Sequence, residues 1–280
     1  MIAAAGFGLV ALLVAGLGVL VIRRLDRIAA ALRADRATAT ARYKRHDRIL
    51  GALRRQVDHD AINRLRAQSR ELEGLHQLYA GFLPRAPMPS SGQWALNPTD
   101  LLALLHLIEQ RRPRLVLELG SGTSTVWIAY ALERIGGRLI SLDHDPGYAE
   151  QTRTMLRAHG LTGVAEVRDA PLSPVEVRGA DFDWYAAEAL TGVDGVDLLL
   201  VDGPPGSTGP MSRYPALDML HGKLSRQATV VLDDISRDDE QETLRRWADE
   251  DTRLRIEPTL VGQHGILSYA RAAAAPAQRR

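Results

Sequence analysis

Leu115-Val-Leu-Glu-Leu-Gly-Ser-Gly-Thr-Ser-Thr125 sets apolar residues around Glu118, then Gly120 and Gly122, then an amphipathic run opening near Thr123. An apolar, β-rich run that ends at a glycine turn and opens a helix is how an α/β sheet presents backbone N–H groups to a nucleotide-like ligand. Downstream, Arg138-Leu-Ile-Ser-Leu-Asp143 reads as a second strand ending in an acid, 23 residues after Gly120. That is close to the roughly 20-residue spacing at which a carboxylate reaches ribose hydroxyls in a doubly wound fold. Ala165-Glu-Val-Arg-Asp169 ends the same way. So do Val196-Asp-Leu-Leu-Leu-Val-Asp202 and Ala228-Thr-Val-Val-Leu-Asp-Asp234, whose near-continuous apolarity marks strands buried on both faces of a parallel sheet. Arg253 to Leu260 and Gly265 to Arg271, joined at Gly262-Gln-His-Gly265, predict a terminal antiparallel hairpin. The fold class is therefore α/β, a doubly wound and mostly parallel sheet. Helices are expected from Asp100, with Thr99 or Asp100 as N-cap, from Asp181, over 212–224 and over 238–250.

Ligands of open α/β sheets bind outside the carboxyl ends of the strands. Glu118, Asp143, Asp169, Asp202, Asp233 and Asp234 all lie at or near such ends, which predicts that they converge on one rim. Any one of them also suits an N-cap for the helix that follows. Asp202, Asp233 and Asp234 together offer hard oxygen ligands from adjacent strands, the donor type that suits Mg²⁺ or a similar divalent cation.

The ordered set of Glu118-Leu-Gly-Ser-Gly-Thr-Ser124, Asp143 and Asp169 resembles the S-adenosylmethionine (SAM) motifs of class I methyltransferases, over roughly residues 95–271. Ser124 stands where many such loops carry a third glycine, which dinucleotide-binding enzymes keep for helix–strand packing, so its presence favours SAM. The resemblance implies a Rossmann-like sheet closed by the terminal hairpin. It also implies that Glu118, Gly120, Ser121, Gly122 and Ser124 approach the methionine part of SAM, that Asp143 holds the ribose, and that Asp169 holds the adenine amino group. The acid trio is similar to that of metal-dependent O-methyltransferases acting on catechols and caffeoyl-CoA. By that likeness Asp202, Asp233 and Asp234 would hold a metal that orients the acceptor hydroxyl, with Asp202 the catalytic candidate. Those enzymes carry a Lys shortly after the first metal acid. Here the stretch is Gly203-Pro-Pro-Gly-Ser-Thr-Gly-Pro210, and no Lys occurs before Lys223. His221, Tyr214 and Arg213 are the nearest replacements, of which arginine cannot act as a base near neutral pH. Residues 203–215 are predicted to face the acceptor. Arg213 and Tyr214 there either select an anionic or sugar-like substrate or pack the loop.

The 280 residues leave room for one large domain and an appendage. Cysteine is absent, which excludes disulfides and thiolate chemistry. Net charge is +1, but residues 23–85 hold 15 Lys/Arg against 7 Asp/Glu while the remainder holds 20 against 27. A nucleic-acid substrate would call for a basic catalytic face, and here the basic part is the arm. Met1 to Ile22 has no charged side chain and, at about 1.5 Å per residue, is long enough to cross a hydrocarbon core of about 30 Å. A cleaved signal peptide is the rival reading, but it expects positive charge before the apolar run, whereas Arg23, Arg24 and Arg27 follow it. They predict an uncleaved single-pass anchor with the catalytic domain on the cytoplasmic side of the cell membrane.

Apolar residues at Leu25, Ile28, Leu32, then Leu53, Val57, Ala61 and Leu65 predict a helical, coiled-coil-like arm over 23–83, interrupted at Gly51 and Gly74. It serves either as a solvated spacer or as a seam for a homodimer. Proline, serine and glycine over 84–97 predict a linker, with Trp94 either packed or closing over the cleft, ahead of a methyltransferase-like domain at 98–271 and a frayed tail at 272–280. Three functions compete: SAM-dependent O-methylation of a small-molecule, glycan or lipid-linked hydroxyl; another SAM-fold transfer such as aminopropyl transfer; and a membrane scaffold with a vestigial SAM fold.

Overall fold

The computed structural model describes residues 2–91, 95–258 and 262–270, with side chains from Ala15's successor Gly16 onward. Trp94, the 272–280 tail and most side chains of the Met1–Ile22 span lie outside the described residues. Among the described residues no helix is long and apolar enough to cross a membrane.

The chain divides into two units, Met1–Ala67 and Gln68–Arg280. The first consists of a single helix, α1 (Ile2–Gly81), whose last turns belong to the second unit. α1 runs unbroken through Gly51 and Gly74, so neither glycine interrupts it as the composition suggested. In the first unit Leu25, Ile28, Leu32, Leu53 and Val57 are all exposed. In the second unit α1 ends in the core, where Leu78 and Phe82 are buried and both Tyr79 and Phe82 meet Trp127 edge-on, with centroids 5.6 and 5.8 Å away. Gly74 is needed there, because a Cβ would sit 3.1 Å from the Thr99 backbone nitrogen. The compact domain therefore begins well before the predicted 84–97 linker.

α2 (Pro98–Arg111) opens at Asn97, whose side chain accepts the Asp100 N–H, with Pro98 in the first turn. The cap is thus Asn97 rather than Thr99 or Asp100, because proline needs no amide partner at that position. Then follow β1 (Leu115–Leu119), α3 (Thr123–Ile135), β2 (Arg138–Asp143), α4 (Pro146–Ala158) and β3 (Ala165–Asp169). β4 (Leu172–Val177) and β5 (Ala180–Tyr185) form a separate hairpin, and β6 (Val196–Val201), α5 (Pro215–Leu220), β7 (Leu224–Leu232), α6 (Asp238–Glu250), β8 (Leu254–Glu257) and β9 (Gly265–Ala270) complete the chain.

The main sheet has seven strands in the order β3-β2-β1-β6-β7-β9-β8. The first five run parallel, while β9 is antiparallel to β7 and to β8. Leu198, Leu199 and Leu200 of β6 are fully buried, as a central strand covered on both faces requires. Strand order reverses between β1 and β6, which places the ligand crevice of a doubly wound sheet beside Gly120 and Asp202.

Two predicted elements change. Asp181 to Tyr185 is strand, not helix: Arg178 and Gly179 both take positive φ (52° and 81°), the two-residue turn that closes a hairpin. The helix expected over 212–224 shortens to α5, since β7 already pairs with β6 at Leu224.

Candidate functional site

A cavity of about 560 Å³ opens at the carboxyl ends of β1, β2, β6 and β7, lined among others by Gly120, Ser121, Asp143, Asp202, Asp233 and Asp234. Four of the six acids expected at one rim therefore meet there. The other two do not line it. Glu118 is fully buried beneath the loop, and Asp169 is exposed at the end of β3, paired in register with Asp143, where Arg153 Nη2 donates to it at 2.7 Å.

The glycine loop is held from below by Glu118. Ser124 Oγ and Thr125 Oγ1 donate to its two carboxylate oxygens, each at 2.6 Å, and Thr125 Oγ1 in turn accepts the Gly122 N–H at 2.9 Å. Complete burial pushes Glu118 up to about 7, with the Ser124 and Thr125 hydrogen bonds working against that rise. Glu118, Gly122 and Ser124 thus shape the loop from outside the cavity, while Gly120 and Ser121 face it. Gly120 has φ +95°, and a Cβ on it would stand 3.0 Å from the Asp202 carbonyl oxygen. Only glycine lets β1 and β6 close up at this point. Ser121 reaches across to β2, donating to Asp143 Oδ2 from its backbone nitrogen at 3.2 Å and from Oγ at 2.5 Å. Asp145 N–H donates to the other oxygen, Asp143 Oδ1, at 3.0 Å. A buried carboxylate is thereby fixed at the mouth of the crevice.

Opposite the loop, carboxylate oxygens of Asp202, Asp233 and Asp234 lie within 4.8 Å of one another. Arg213, only 4% exposed, lies among them. Its Nη2 donates to Asp202 Oδ1 at 3.2 Å and Asp234 Oδ2 at 3.0 Å, and its Nη1 to the Asp233 carbonyl oxygen at 3.0 Å. Both terminal nitrogens of the guanidinium are thus bonded within the protein, as the loop-packing reading expects, while Nε has no hydrogen-bond partner. Burial, and then the neighbouring Asp233, push Asp202 well above the usual carboxylate range against the pull of Arg213. Burial acts on Asp233 in the same sense, but a hydrogen bond and the charge of His264 hold it below its ordinary value. His221 lies on the surface, bonded to the Asp218 carbonyl oxygen, and Tyr214 Oη donates to Glu250 at 2.7 Å; neither lines the cavity.

The cavity lining also includes Asp100, Arg237 and Tyr185, none of them a site candidate from the sequence, and His264 stands behind it. Asp100 was read only as a cap; its carboxylate accepts from Gln263 N–H at 2.6 Å and from Asn97 Nδ2 at 2.5 Å. Arg237 donates to Asp234 Oδ2 at 3.0 Å, and His264 Nε2 stands 3.3 Å from Asp233 Oδ1 just behind the rim. Tyr185, at the end of β5, is buried with its hydroxyl among the acids, and a side chain on Gly203 would collide with that hydroxyl. Recognising Ala180 to Tyr185 as an alternating strand after Arg178-Gly179 would have brought Tyr185 to notice.

Sheet order, glycine loop and strand-end acids together define a doubly wound α/β ligand-binding domain. Residues 117–235 match a family described as "Methyltransferase domain". The chain is 29% identical over 159 residues to a protein of Niastella koreensis named catechol O-methyltransferase, covering 56% of this chain and 63% of that one. It is also 29% identical over 138 residues to a Propithecus coquereli protein named transmembrane O-methyltransferase, covering 44% and 49%. The Macaca mulatta protein of the same name is equally similar over 138 residues, 45% of its length. The chain thus spans between about half and under two thirds of the relatives it matches.

Proposed function

We propose that this chain is a SAM-dependent methyltransferase that methylates a hydroxyl group. The observation that carries the reading is the pairing of Ser121 with Asp143 across the switch point, beside Gly120 and within one cavity with Asp202, Asp233 and Asp234. SAM would supply an already activated methyl group, so the protein's task is to hold donor and acceptor in line and exclude water. Gly120 and Ser121 offer backbone to the methionine part, and Asp143 offers Oδ1 and Oδ2 to ribose hydroxyls. Asp169, beside Asp143 at the end of β3, remains the candidate for the adenine amino group. Residues 203–207 form the wall that an acceptor must pass.

The membrane assignment belongs to the same reading. The uncharged Met1–Ile22 run followed by Arg23, Arg24 and Arg27 supports an anchor with the domain at the cytoplasmic face, and two relatives carry "transmembrane" in their names. The acceptor is then a small molecule, a glycan or a lipid-linked hydroxyl reachable from that face. The exposed apolar residues of 23–65 support pairing with a second copy through the arm. The test is transfer of tritiated methyl from SAM by the full chain, offered either catechol or a membrane extract. Label in the acceptor fraction, absent with Asp143→Ala, is expected. Breakdown of SAM without label in any acceptor would point to transfer of another group.

A further inference from the structure

The acid trio already contains a cation of the chain's own. Arg213 stands on the loop between β6 and α5 and is almost completely buried, its Nη2 bridging one oxygen of Asp202 and one of Asp234. Its Nε faces Glu240 Oε1 at 3.8 Å. Arg237 Nη1, from the turn before α6, contacts the same Asp234 Oδ2 at 3.0 Å. The third acid, Asp233, directs Oδ1 to His264 Nε2 at 3.3 Å. One oxygen of each acid is therefore committed to a positively charged or donor group. A guanidinium keeps its charge at any accessible pH and matches carboxylates with a fixed fork of donors.

The donor set consequently does not suit a divalent cation in this arrangement. Such an ion asks for several oxygens converging on one point at about 2.0–2.6 Å, and here Oδ1 of Asp202 and Oδ2 of Asp234 converge on a guanidinium instead. The two arginines together carry the same double positive charge that one such ion would bring. We infer that Arg213, assisted by Arg237, serves as the built-in counter-cation of Asp202 and Asp234, so that the trio takes up no divalent metal and this rim of the cavity works metal-free. The missing lysine after Asp202 fits this arrangement, because the loop that would carry it supplies Arg213. This inference does not depend on methyl transfer: it concerns what the carboxylates bind, whatever reaction the cavity supports.

The probe is Mn²⁺, titrated into the purified full chain with and without SAM, with the free-ion electron paramagnetic resonance signal as readout. The wild-type chain should leave the signal at its protein-free value up to millimolar Mn²⁺. Arg213→Met, shown to be folded by circular dichroism, should take up one equivalent and lose it again when combined with Asp234→Asn. If Arg213→Met does not fold, the wild-type titration still decides. Uptake of one equivalent by the wild type, abolished in a folded Asp234→Asn, overturns the inference. So does a folded Arg213→Met that takes up none, because something other than the guanidinium would then be keeping the ion out.

Discussion

Ser121 and Asp143, on neighbouring strand ends, are joined twice, through the serine backbone nitrogen at 3.2 Å and its hydroxyl at 2.5 Å. The glycine loop and the carboxylate at the end of β2 therefore form one pre-set unit. Hydrogen bonds to a charged group contribute about 1.5–3 kcal/mol. Asp143→Ala should accordingly weaken SAM binding by about 10- to 150-fold, and Ser121→Ala, which leaves the backbone bond in place, by clearly less. Calorimetry on the two variants checks the ranking; equal losses would mean that the serine itself is the main ligand.

Gly120 is the position where the loop tolerates least. A Cβ there meets the Asp202 carbonyl at 3.0 Å, and φ of +95° strains any L-side chain. Backbone strain of this type costs about 1–3 kcal/mol, so Gly120→Ala should lower stability by that amount in urea unfolding and weaken SAM binding as well. A variant with unchanged stability would show that β1 and β6 approach less closely than described.

Glu118 makes stability depend on pH. Its folded value, about 7, lies above the ordinary carboxylate value of 4.5, so the folded state holds the proton more tightly than the unfolded state. The neutral form is the favoured buried form, and its contribution is complete at low pH and is lost as pH rises from about 4.5 through about 7. The loss amounts to roughly 3 kcal/mol at about 1.4 kcal/mol per pKa unit. Glu118→Gln lacks this titration. The difference in unfolding free energy between wild type and variant should therefore move against the wild type across that window; a constant difference would contradict the assignment.

The domain boundary makes a fourth prediction. A fragment starting at Gln68 retains Leu78, Phe82 and the Glu71 carboxylate that accepts both the Thr99 N–H and its hydroxyl at 3.0 Å. One starting at residue 86 loses all three. Deleting large buried side chains costs about 2–5 kcal/mol each, so the shorter fragment should unfold at markedly lower urea or fail to fold. Equal midpoints would return the boundary to the 84–97 segment.

The parallel strands and their acids were legible because a strand covered on both faces is apolar over most of its length and gathers its acids near its ends. Val196–Asp202 and Ala228–Asp234 show this directly. The β4–β5 hairpin was not legible in the same way: it lies outside the main sheet and alternates polar with apolar residues, so Asp181-Phe-Asp-Trp-Tyr185 reads as a helix start unless Arg178-Gly179 is seen as a turn. The helical arm was legible as helix, but not the fact that its last turns are core, because Leu78 and Phe82 are buried in a core whose other members, Trp127 among them, lie far along the chain. At the site, spacing identified the acids and not their partners. Arg213 lies in a Gly/Pro-rich loop with no periodicity, and only the fold brings its guanidinium between Asp202 and Asp234.

The most direct test of the central claim is calorimetric titration of SAM into the purified full chain, alongside Asp143→Ala. Saturable one-site binding is expected of the wild type, and binding lost or weakened at least tenfold of a variant shown to be folded. A folded wild-type chain that takes up no SAM, or a folded Asp143→Ala that binds as tightly as wild type, would contradict it.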